Sequence, residues 1–136
     1  MLRALRVSLA IVAAGTLPAA ACGGDDDTEA VKETVRDFIR ATDRRDADAF
    51  CGELVTQEFL EQSTGAVGPK AEDACRQQLR AVTGLRLGLV RIRRTEIEGD
   101  RARVTAVLET QGQRQVRLLR LREEDGAWKV AGGSGR

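Results

Sequence analysis

The chain has 136 residues, with 22 Lys and Arg against 21 Asp and Glu. That length suits one domain with a modest core, and the near-neutral charge argues against nucleic acid as a partner. There is no His and no Tyr, so the side chains that most readily move protons near pH 7 or hold an oxyanion are missing.

The first 21 residues read as an export signal. Arg3 and Arg6 supply its positive end, and Val7 to Pro18 supplies an apolar run of about a dozen residues, the usual length of a signal core. A spanning helix needs about 20 apolar residues, and this run is too short. Ala19-Ala20-Ala21 then precedes Cys22. This pattern predicts cleavage before Cys22 and acylation of its thiol. Leu usually stands three residues before such a cysteine, and Ala19 stands here. An ordinary signal cleaved near Ala21, leaving a free thiol, is the alternative. Several acyl chains anchor stably where one binds only marginally, so the mature domain is expected on the extracytoplasmic face of the cell membrane. Residues 22–27 are expected to form a flexible tether. Asp25-Asp26-Asp27 lacks the spaced partners of a metal site and reads as solvated spacer.

Residues 28–131 are expected to form the folded domain. Asp26 with Glu29 suggests a capping box, and Val31, Val35, Phe38, Ile39 and Thr42 follow at helical spacing, predicting a helix over 27–44. Asp46 caps a short second helix containing Phe50, Cys51 and Leu54, and Thr56 caps a third through Phe59 and Leu60. A loop over 63–68 precedes Pro69, which suits the first turn of a helix. Ala71, Cys75, Leu79 and Val82 line one face of that fourth helix, which ends by Gly84.

Cys51 and Cys75 remain once Cys22 is acylated. Outside the cytoplasm such a pair usually oxidises, and the expected disulfide staples the second helix to the fourth. A redox pair would need closer Cys-x-x-Cys spacing. Zinc is disfavoured by the missing histidines, and no metal or cofactor is expected.

The second half reads as an antiparallel meander. Gly99-Asp100, Gln111-Gly112 and Asp125-Gly126 fit two-residue hairpin turns. These turns set Ile97 opposite Ala102, Val104 opposite Leu119, Ala102 opposite Leu121 and Leu121 opposite Val130. Ile97, Ala102, Val104, Ala106, Leu108, Leu119, Leu121, Trp128 and Val130 then share one face. Arg94, Glu96, Glu98, Arg101, Arg103, Thr105, Arg120, Arg122 and Lys129 share the other. A one-residue slip would invert both sets. Val90 and Ile92 fall on the polar face unless a bulge intervenes, and so do Val116 and Leu118; bulges there would bend the sheet. Residues 132–136 read as a disordered tail.

Helices followed by a one-sided meander define an α+β domain with helices packed on a sheet. The pattern resembles the nuclear transport factor 2-like superfamily over about residues 27–131. The resemblance rests on the first helix with Arg44-Arg45-Asp46-Ala47-Asp48-Ala49-Phe50 after it, the hairpin Ile97 to Val104, and the ending Leu121 to Val130 around Asp125-Gly126. It implies a cone: a long first helix lying in the concavity of a curved antiparallel sheet. Small exported lipoproteins of high-GC Gram-positive bacteria look like this, often with a cysteine pair in the helical half. One departure is that the strand usually found between the second and third helices is not evident.

The superfamily includes ketosteroid isomerase, scytalone dehydratase and polyketide cyclases, and the resemblance implies Asp, His or Tyr groups inside the cone. Here His and Tyr are missing. Asp37 lies on the wrong side of its helix, and Asp46 and Asp48 look like cap and first-turn residues. No catalytic residue is therefore expected. The expected function is a non-catalytic, membrane-anchored binding module for an envelope protein or a small apolar ligand. The alternative is a small lyase or isomerase using a buried carboxylate. Trp128 reads as a core anchor, or else as lining a pocket with Phe38, Phe50, Phe59 and Leu119. Arg101, Arg103, Arg120 and Arg122 form a basic block on adjacent strands. They read either as a solvated face with cross-strand pairs (Glu96 with Arg103, Glu98 with Arg101) or as a docking face for an acidic partner, an anionic headgroup or a cell-wall polymer.

Overall fold

A computed structural model of the protein describes residues 23–135. The expected signal segment, Cys22 and Arg136 lie outside the described residues. The order is α1 (Gly23–Arg44), α2 (Ala47–Ala49), a π-helical turn (Phe50–Leu54), α3 (Gln57–Thr64) and α4 (Pro69–Ala81). Then come β1 (Leu87–Glu98), β2 (Arg101–Thr110), β3 (Gln113–Glu124) and β4 (Ala127–Gly135).

Helix α1 buries the predicted stripe: Val31 and Val35 are fully buried and Ile39 nearly so, while its outer face carries ion pairs such as Arg40 with Asp37 at 2.8 Å. It starts earlier than expected. Gly23 to Asp27 are its first turns rather than a tether, so Asp26 is not at the cap. Acidic residues at a helix start are favoured by the macrodipole, which offsets the poor helix propensity of Gly and Asp.

The next helices begin where their caps stand. The Ala49 N–H donates to Asp46 Oδ1 at 3.1 Å and the Phe59 N–H donates to Thr56 Oγ1 at 3.1 Å. These bonds satisfy donors that a helix start leaves free. Gly65, at φ 74°, closes α3 in the left-handed conformation, which costs glycine least. Glu61 at the end of α3 accepts from Gln57 Nε2 at 2.8 Å and from the Gly68 N–H at 3.3 Å. The Gln57 bond, then the Gly68 bond, hold its carboxyl below the ordinary value. In α4, Ala71, Cys75 and Leu79 are buried as expected, but Val82 caps the helix and is exposed; the chain turns extended there and carries its side chain off the packed face.

The sheet is a meander in the order β1-β2-β3-β4. All three predicted hairpin turns are present. Gln111-Gly112 and Asp125-Gly126 have both residues at positive φ, and Gly99-Asp100 has Gly99 alone, matching the primed turn types that follow the twist of the strands. The four predicted cross-strand pairs are all observed. The inner face holds Ala102, Val104, Ala106, Leu108, Leu119, Leu121, Trp128 and Val130, all buried, with Ile97 partly so.

The two expected frays resolve differently. Strand β1 has register shifts between Leu89 and Arg91 and between Ile92 and Arg94. These bulges return Ile92 to the inner face opposite Ala106 and leave Val90 exposed. Between β2 and β3 the register is unbroken, so Val116 and Leu118 stay on the outer face beside Val107. The expected disordered tail is another correction. After a shift at Arg120/Leu121, Gly132 to Gly135 pair with Arg120 to Arg117 and β4 runs to Gly135. An unpaired β3 edge, with its free backbone donors and acceptors, supplies the reason.

The missing strand between the second and third helices is reduced to one parallel bridge, Val55 with Val130, in which the Thr56 N–H donates to the Val130 carbonyl at 3.0 Å. It draws α3 alongside the edge of β4. The direction of α1 follows from two contacts. Asp43 Oδ1 accepts from the Leu87 N–H at 2.9 Å, and Thr34 Oγ1 donates to the Trp128 carbonyl at 3.4 Å. The start of α1 therefore lies toward the end of the sheet that carries the Gly99-Asp100 and Asp125-Gly126 turns.

One buried polar atom has no partner among the described residues: Thr95 Oγ1, opposite Val104 on the inner face. An unpaired buried hydroxyl costs about 1–3 kcal/mol. Thr95→Val keeps the shape and removes the hydroxyl. It is expected to raise stability by about 1 kcal/mol, seen in a denaturant titration as a higher midpoint with unchanged slope. A lowered midpoint would show that Thr95 has a partner in solution.

Candidate functional site

Two places were expected to carry function: the inside of the cone and the basic outer face of the sheet. Inside, α1, the π-helical turn and α3 bring together Phe38, Phe50 and Phe59. The ring centroids of Phe38 and Phe50 are 5.1 Å apart, and those of Phe50 and Phe59 are 6.2 Å apart and edge-on. These are favourable aromatic spacings. All three rings pack against the core that contains Leu119 and Trp128. None of these five residues lines the three hollows described below.

No acidic side chain among the described residues is buried; Thr56, whose hydroxyl caps α3, is the buried polar residue. The three acids considered from sequence are placed on the outside. Asp37 pairs with Arg40, Asp46 caps α2, and Asp48 meets Arg76 at 3.0 Å and Arg80 at 3.6 Å. Cys51 and Cys75 are joined by a disulfide between the π-helical turn and α4. Arg76, one residue on, also meets Glu72 at 2.7 Å. Two smaller hollows, of about 260 and 270 Å3, lie between α1 and its neighbours and are lined by charges of both signs.

The largest of the three hollows, about 640 Å3, takes in the basic block. Arg101 and Arg103 of β2 stand directly opposite Arg122 and Arg120 of β3. Like charges in register repel, and the surroundings relieve this only in part. Arg103 Nε is 3.7 Å from Glu96, and Arg122 Nη1 is 3.5 Å from Glu58. Among the described residues Arg101 and Arg120 have no ion pair. Glu98 faces Arg101 in register but forms none with it, so that predicted pair is not made; the Glu96–Arg103 pair is. Arg120 lies across β4: a Cβ on Gly132 would sit 2.9 Å from its Nη2. The bare backbone at Gly132 thus gives the guanidinium its bed.

Sequence reasoning found the four arginines because alternation puts them on one face. It missed Glu58 and Gln62 of α3, which line the same hollow. Nothing in the local pattern links a helix near residue 60 to strands near 100 and 120; the Val55–Val130 bridge makes that link.

No protein-family model matches the chain, and no curated protein matches it. Solved structures do. A nuclear transport factor 2-like protein of unknown function from Silicibacter pomeroyi matches with a TM-score of 0.55 at 16% identity, covering 83% of this chain and 97% of that one. A protein of unknown function with a cystatin-like fold from Nostoc punctiforme matches with a TM-score of 0.56 at 14% identity, covering 82% and 90%. A de novo designed protein with a curved β-sheet matches at 0.51 and 15% identity, covering 77% and 97%. The fold is therefore the nuclear transport factor 2-like, cystatin-like cone. At these identities the likeness concerns fold alone, and a fold hosts many functions.

Proposed function

We propose that this protein is a membrane-anchored extracytoplasmic lipoprotein whose domain is a non-catalytic binding module. In this reading it engages its partner through the outer surface of the cone. The observation that carries it is the contrast between the two faces of the sheet. The inner face packs against the Phe38, Phe50 and Phe59 cluster and an apolar core, which disfavours an apolar ligand there. The outer face has the largest of the three hollows and two arginines without ion pairs among the described residues. Lyase or isomerase chemistry with a buried carboxylate has less support, because the acids lie outside the core.

The anchor rests on the leader and Cys22. Helix α1 begins directly after that residue, so acylation would hold the domain close to the bilayer, with the Gly99-Asp100 end nearer the lipid. Mass analysis of the mature amino terminus tests this. The expected result is a diacylglyceryl group on Cys22 and no residues before it; an unmodified thiol would refute the anchor. Crosslinking in intact cells is expected to join a neighbour to β2 and β3 rather than to the α1 side.

A further inference from the structure

The groove beside α3 has the chemistry of a ligand site that is basic in the middle and hydrogen-bonding at the rim. We propose that it binds a polyol phosphate, the phosphate held by Arg101 and Arg120 and the hydroxyls by the carboxylates and amide around them. The proposal rests on the binding-module reading and names its ligand class.

Three observations lead there. First, size: about 640 Å3 lies within the range of small-molecule sites and exceeds what a lone counter-ion needs. Second, charge. Four guanidinium groups stand two by two on adjacent strands, and only Arg103 and Arg122 are matched to acids, Glu96 and Glu58. Arg101 and Arg120 are left on a diagonal of the pair of strands. Diagonal Cβ atoms lie roughly 7–8 Å apart, so two long side chains can converge on one phosphate. Guanidinium groups suit this task because their planar fork gives paired hydrogen bonds to phosphate oxygens. Arg120 Nη2 rests beside Gly132 of β4, so on binding it swings back over β3 to meet Arg101.

Third, the rim. Glu58, Gln62, Glu96 and Glu98 surround the arginines. Carboxylates accept from hydroxyls and repel further anionic groups, so they favour a ligand with few phosphates and several hydroxyls. No aromatic ring lines the groove, so the stacking platform of a base-binding site is absent there. Acids near the hairpin ends (Asp100, Glu123, Asp125) also disfavour broad contact with an anionic bilayer. A single phosphate group entering the groove, free or on a lipid headgroup, meets less repulsion.

The test is calorimetric titration of the full chain in detergent, at low salt, with glycerol 3-phosphate. Saturable binding is expected, with none for glycerol. Arg101→Ala with Arg120→Ala is expected to weaken binding at least tenfold. Arg114→Ala, outside the groove, leaves it unchanged, and Glu98→Gln strengthens it several-fold by removing a charge that repels the phosphate while keeping an acceptor for a hydroxyl. Circular dichroism checks that each variant folds. Absence of saturable binding, or equal binding by the double variant, overturns the proposal. So does capture of an acidic protein by this face without phosphate binding.

A second arm separates the sources. The Cys22→Ser chain is floated with vesicles of phosphatidylglycerol or of phosphatidylcholine. Arginine-dependent flotation with phosphatidylglycerol only, competed by glycerol 3-phosphate, assigns the phosphate to a headgroup. Soluble binding without flotation assigns it to a free ligand. Release of inorganic phosphate during titration would instead sink the non-catalytic reading while leaving the site in place, and the mature amino terminus reports on the anchor independently.

Discussion

Replacing Cys51 and Cys75 together with alanine is expected to lower the unfolding free energy by about 3 kcal/mol. The link closes a loop with a sequence separation of 24, for which chain entropy gives roughly 3.5 kcal/mol. Both cysteines are buried, and alanine at each position keeps the core apolar. The architecture makes the link matter: α4 packs chiefly on α2, α3 and the π-helical turn rather than on the sheet. Without the covalent hold, α4 depends on Ala71, Leu79 and the ion pairs of Arg76, two of which reach exposed Asp48 and Asp73, and pairs to exposed partners contribute little. Thermal melts of the double variant, and of the native chain with reductant, should fall together by about 10–20 °C. A melting temperature within a few degrees of the native value in both would show that the bridge does not form or does not matter.

Trp128→Ala is expected to cost more still, about 3–5 kcal/mol, a large part of the total stability of a domain this size. Trp128 is 9% exposed on the inner face of β4, where its carbonyl accepts from Thr34 on α1. Truncation leaves a hole between the sheet and the long helix. Trp128→Phe keeps much of the volume and should lose far less. A denaturant titration separates the two readings of this residue. A core anchor shifts the unfolding midpoint strongly in the alanine variant. A pocket-lining tryptophan would leave the midpoint nearly unchanged, and that result would reopen the interior as a ligand site.

The disulfide and Trp128 show how far sequence reasoning reached. Cys51 and Cys75 were paired from compartment and number, and Trp128 was set inward by alternation from the Asp125-Gly126 turn; both hold in the structure. The basic block was legible for the same reason. The groove it belongs to was not, because Glu58, Gln62 and Gly132 reach it from separate elements. Phe38, Phe50 and Phe59 were read as a group, but whether three rings line a hole or fill it depends on how closely α1 and α3 approach.

Local chemistry thus accounts for the helix starts at Asp46 and Thr56, the three hairpin turns and the sorting of each strand into an apolar and a charged side. These follow from capping bonds, from backbone angles that Gly and Asp adopt cheaply, and from the two-residue period of a strand. Position along the curved sheet was decided by packing between distant segments. It set the bulges at Val90 and Arg93, returned Ile92 to the core, recruited Gly132 to Gly135 onto β3 and laid Arg120 over bare backbone. Those outcomes balance backbone hydrogen bonds at a strand edge against the fit of a twisted sheet around α1, and that balance exists only once the parts have met.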